Sequence, residues 1–157
     1  MKKHMLALLA MAVFATATSV TAAQAGVVTN ETVSYAYSGY VPCANGGAGE
    51  LLTGTIDVHN LVTSTVNGNI ETSQFHFQPR GSLVGTITGD TYRLAGVTRG
   101  ASHEGVENGH YVLTYVSSYR LIGPGPGNNL SVRETAHVTM DGDDVVVQHD
   151  DFSIDCS

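Results

Sequence analysis

The stretch GHYVLTYVSSYRLIGPGPGNNLSVRETAHVT, residues 109–139, decides the fold class. Over 109–122 it alternates two sets of side chains. Val112, Thr114, Val116, Ser118, Arg120 and Ile122 fall on one face, and Tyr111, Leu113, Tyr115, Tyr119 and Leu121 on the other. Over 128–139 the alternation returns, with Leu130, Val132, Ala136 and Val138 interrupted by Glu134. A period of two in Val, Thr and Tyr, broken by Gly, Pro and Asn, reads as strand, turn, strand. No helical period competes with it.

The same grammar extends outward in both directions. Strands are expected at 31–41, 50–60, 61–66, 69–78, 81–88, 91–99, 109–122, 128–139 and 144–155, the second and third being either two strands or one long bent strand. Asn67-Gly68, Gly89-Asp90 and Asp141-Gly142 suit two-residue hairpin turns, which favour residues that accept positive φ. About eight antiparallel strands in hairpin succession form a meander, and closure removes its exposed edges. The expected fold is all-β, a single antiparallel meander barrel of about eight strands, with a β-sandwich as the alternative.

The N-terminus reads as a secretory signal over residues 1–25. Lys2 and Lys3 precede an apolar run from Met5 to Phe14, and Ala-Gln-Ala at 23–25 is a small-x-small cleavage site. The domain is then 26–157, exported to the periplasm or the medium, with no membrane insertion after cleavage. In an oxidising compartment two cysteines usually pair, so Cys43 and Cys156 are expected to form a disulfide that closes the barrel.

Charge limits the partners. Both lysines lie in the signal, so five arginines face all 14 carboxylates, nine net negative charges. Phosphate backbones and anionic membranes need cations to replace their counterions, which argues against nucleic acid as a partner. PCANGGAGE (42–50) and GPGPGNN (123–129) are Gly-rich but lack the lysine and helix of a phosphate loop. No strand–Gly-x-Ser-x-Gly–helix elbow is present, and pairing leaves no free cysteine nucleophile. No cofactor is expected.

Two constellations remain. If Val66 faces Asn69, then His59 lies opposite His76 and Asp57 opposite Gln78, a metal-like set. Thr55, Thr72 and Gln74 share that face, which makes it an ordinary solvated surface, and no metal is assigned. If Ile122 faces Leu130, Ser118 faces Glu134 and Arg120 lies one diagonal away, an inward ion pair. With the other face inward, Tyr111, Tyr115 and Tyr119 give an aromatic lumen with phenol handles. Arg120, Glu134, Tyr111, Tyr115 and Tyr119 are therefore the candidate ligand-binding residues. They suit a non-enzymatic barrel that binds a small apolar ligand. The alternatives are a cyclase- or isomerase-like barrel enzyme using Arg120, Glu134 and a neighbouring His or Tyr, or an extracellular protein-interaction module.

The motifs PCANGGAGE (42–50), ITGDTYRLAGVTRG (87–100), YRLIGPGPGNNLSVRETAHVT (119–139) and DDFSIDCS (150–157) together resemble a group of small bacterial exported proteins. That resemblance implies a shared fold and export, and carries no activity. The segment at 88–96 is similar to a Gly-x-Tyr/Phe-x-Gly hairpin of eight-stranded allene oxide cyclase and dirigent-like barrels. It implies a barrel and transfers no residue role.

Overall fold

In a computed structural model, residues 24–105 and 109–157 are described; of the expected signal segment 1–25, residues 1–23 lie outside them, and Gln24 and Ala25 fall at the start of the first strand. Seven strands follow in order: β1 (Gln24–Val41), β2 (Glu50–Asn67), β3 (Ile70–Gly85), β4 (Thr91–Gly105), β5 (His110–Ile122), β6 (Leu130–Asp141) and β7 (Asp144–Cys156). Each pairs antiparallel with its sequence neighbour, giving one sheet of order β1-β2-β3-β4-β5-β6-β7. The meander is as expected. Among the described residues there is no eighth strand, and β1 and β7 do not pair with each other, so the sheet is open.

The strand count falls because β3 is continuous where two strands, 69–78 and 81–88, were expected. Gly81, where a new strand was expected to begin, lies inside β3 and serves close packing. A Cβ there would lie 2.6 Å from the Thr55 carbonyl oxygen and 2.9 Å from Ile56 Cγ2. Pro79 sits mid-strand opposite Val58, while the ladder to β4 skips Gln78 and Pro79. Proline has no N–H to donate, so one side of the ladder lapses and the strand runs on.

Two registers also differ from expectation. At the first hairpin Asn67 pairs with Ile70 around Gly68, which adopts φ 59°. At the Gly-Pro hairpin Leu121, not Ile122, faces Leu130. The first shift moves each partner by two residues and keeps the faces. The second is a one-residue slip, which moves side chains to the other face of the sheet, with consequences at the site.

Cys43 and Cys156 form the expected disulfide, with Cα atoms 5.4 Å apart. It brings the ends of the first and last strands together, so the sheet must curl. The buried core lies at that end: Val41, Ala44, Leu52, Leu83, Tyr92 and Leu121, with Tyr37, Ile56, Leu94 and Leu130 packed against it. β7 is exposed along its whole length.

Candidate functional site

Register divides the side chains between the two faces of the curled sheet. Tyr35, Ile56, Leu94, Leu121 and Leu130 fall on one cross-strand row, and Val58, Tyr119 and Val132 on the next. These rows line the concave face and bound a cavity of about 720 Å³. Tyr37, Phe77, Pro79 and Leu83 complete its apolar wall. Such a volume matches small-molecule sites in general, which are mostly apolar with a few convergent polar groups.

The polar groups come from the row Glu31, Asn60, Phe77, Thr98, Ser117, Glu134 and Phe152. The Thr98 hydroxyl bonds to Ser117 Oγ at 2.9 Å and to the Tyr119 phenol at 2.6 Å. Thr98 and Tyr119 both line the cavity, whereas Ser117 is buried behind them. Hydroxyls both donate and accept, so the trio can turn to meet either kind of ligand group.

Beside it the Tyr115 phenol donates to Glu134 Oε1 at 2.6 Å. That bond raises the Tyr115 pKa to about 12, with burial and the charges of Glu134 and Asp150 adding to it. A phenoxide there would lose the bond and face two carboxylates.

The expected site residues thus separate. Tyr111, Tyr115, Tyr119 and Glu134 are all on the concave face, and Tyr119 lines the main cavity. Arg120 is exposed on the convex face, paired in register with Ala95 and Ser131. Glu134 faces Ser117 instead of Ser118, so the inward Arg120–Glu134 pair does not form. The cause is the register at the Gly-Pro hairpin. His59, meanwhile, pairs with Gln78 and His76 with Leu61, so the two imidazoles are not directly opposed. Among the described residues no group of three or more His, Cys, Asp or Glu is placed to hold a metal ion.

No known family, curated protein or solved structure matches the chain. Its site is therefore read from its own geometry.

The disulfide end of the sheet, beside the buried core, is held by residues with little to mark them in sequence. Glu50 is 1% exposed, yet its carboxylate is fully engaged. Oε2 accepts from the Ile87 and Thr88 amides at 3.0 and 3.1 Å, and Oε1 from the Thr88 hydroxyl at 2.8 Å and the Tyr92 phenol at 3.3 Å. Burial is the largest influence on its pKa and acts upward. The hydrogen bonds together outweigh it and hold the group below the ordinary glutamate range. Tyr92, raised chiefly by burial, also accepts from the Asn45 amide at 3.0 Å. The Gly46 amide donates to Asn128 Oδ1 at 2.7 Å, which joins the two Gly-rich stretches. Gly85 is needed beneath Glu50, since a Cβ there would lie 2.4 Å from both carboxylate oxygens. The only sequence signal for this cluster was an acidic residue flanking a glycine-rich run.

Proposed function

We propose that this protein binds a small, largely apolar molecule in its concave cavity, without chemical turnover, in an exported setting. The observation that carries the reading is the cavity of about 720 Å³, walled by aliphatic and aromatic side chains and edged by the Thr98–Ser117–Tyr119 hydroxyls. The disulfide fits export, because such bonds persist in oxidising compartments. Kinship with small exported bacterial proteins belongs to the same proposal. So does a barrel-like form, in which the seam between β1 and β7 narrows around the ligand. An acid–base enzyme built on Arg120 and Glu134 is disfavoured, since the two groups stand on opposite faces.

The test is uptake of a neutral lipophilic fluorophore, N-phenyl-1-naphthylamine, by the purified mature protein. Saturable binding with a fluorescence gain is expected. Leu94→Trp, which fills the cavity wall, should abolish it while the melting transition stays cooperative. A folded wild-type protein that takes up no fluorophore would overturn the reading.

A further inference from the structure

The two faces of the sheet carry different charges. All five arginines of the described chain (Arg80, Arg93, Arg99, Arg120, Arg133) lie on convex positions of the register. So do its six histidines: His59, His76, His103, His110, His137 and His149. The concave face holds Glu31, Glu71, Glu104, Glu134 and Asp150, and among the described residues no cationic side chain. An acidic chain spreads carboxylates over both faces, as Asp57, Asp151 and Asp155 on the convex side illustrate. Excess acid does not explain why every cation sits on one face.

Position sharpens the point. Glu31 and Glu134 sit in the polar row that bounds the apolar well, and Asp150 is diagonal to Glu134 across β6 and β7. Glu71 and Glu104 face each other farther from the disulfide. Glu50 is excluded from this rim, because it is buried and already accepts four hydrogen bonds. Inside the rim four aromatic rings, Tyr35, Tyr37, Phe77 and Tyr119, line the cavity. Ring faces and carboxylates attract the same species, a weakly hydrated organic cation, and ring faces do so best where water is excluded.

We infer that the occupant is an amphiphilic organic cation, an apolar body bearing an ammonium group. The body fills the well and the ammonium lies among the rings near Glu134 and Asp150. This inference rests on the cavity being a binding site and adds the charge of what it binds. An anionic amphiphile such as a fatty acid would meet carboxylates with no cation to pair with.

The experiment compares three ligands with one apolar tail, n-octyltrimethylammonium, n-octanol and n-octanoate, by titration calorimetry of the mature protein at one ionic strength. The ammonium compound is expected to bind about tenfold more tightly than the alcohol, with octanoate weakest. In the double variant Glu134→Gln/Asp150→Asn the advantage of the ammonium compound over octanol should shrink to about twofold. The convex control Asp151→Asn/Asp155→Asn should leave the ranking alone. Octanol or octanoate binding as tightly as the ammonium compound would overturn the charge inference and leave the apolar site standing. Survival of the full advantage in the rim variant would also overturn it. If none of the three ligands nor the neutral fluorophore binds, both readings fall. Should the rim variant fail to fold, the wild-type ranking of the three ligands decides.

Discussion

Cys43 lies two residues beyond the end of β1, and Cys156 is the last residue of β7, so one disulfide ties both edges of the sheet at the same end. In a seven-stranded antiparallel meander the first and last strands run parallel. Their C-terminal ends are pinned together with Cα atoms 5.4 Å apart, and neither pairs with the other along its length. The bond does the work that an edge-to-edge ladder does in a closed barrel.

Reduction, or Cys156→Ser, should therefore loosen β7 first. For a loop spanning 113 residues the chain-entropy account gives roughly 4–5 kcal/mol of stabilisation as an upper figure. A drop of a few kcal/mol in denaturant unfolding is expected, with β7 amides losing hydrogen-exchange protection before those of β3 and β4. An unchanged unfolding midpoint after reduction would refute the clamp.

Glu50 makes stability depend on acid. Its pKa in the folded protein lies below the ordinary glutamate value of 4.5, so the folded state holds fewer protons there than the unfolded chain. Its contribution is present above that ordinary value and is lost as pH falls through the folded one. Melting temperature should decline below about pH 4.5. Glu50→Gln should melt lower than wild type at neutral pH, and the gap should narrow as pH falls below the ordinary glutamate value of 4.5, as thermal scans across that range would reveal.

Tyr115 should be the last tyrosine to ionise. Its hydrogen bond to Glu134 places its pKa at about 12, against an ordinary value of 10.0. Ultraviolet titration should resolve Tyr115 as the latest step, with Tyr92 also delayed, and Glu134→Gln should return the Tyr115 step toward the ordinary value. A wild-type titration curve without that late step contradicts the Tyr115–Glu134 bond.

Gly81 is a packing glycine, and alanine there should be costly. The added Cβ would press on the Thr55 carbonyl, which belongs to the β2 backbone and cannot swing aside. About 1–3 kcal/mol of destabilisation is expected by urea unfolding. At Gly46, where no atom lies within 4 Å but φ is +63°, the cost of alanine comes from backbone strain instead. Asparagine, which tolerates that conformation better, should recover part of the stability at Gly46 and none at Gly81.

Much of the fold was legible along the chain because strand alternation and turn chemistry are local. The β5 and β6 segments and the Gly-Pro connection between them follow from neighbours in sequence, whereas the cysteine pairing follows from there being two cysteines in an expected oxidising compartment. The break expected between 78 and 81 does not occur, because Pro79 interrupts the ladder toward β4 alone while pairing with β2 carries the strand through.

The site was less legible. The tyrosines of β5 and Glu134 were recognisable as candidates, but their company was not. Whether Arg120 joins Glu134 depends on one residue of register across a seven-residue connection, and that slip exchanges the faces. The Glu50 cluster joins the start of β2 to the 86–92 segment through β2–β3 pairing, and to the 45–46 and 128 loops through the curl of the sheet. The sequence by itself determined an acidic, all-β meander with one disulfide, since alternation, turns and composition act over a few residues. Tertiary structure alone decided that the sheet stays open, that its cations all face outward, and that carboxylates and aromatic rings share the cavity. Those outcomes follow from register and curvature, which are settled by packing between strands distant in the chain.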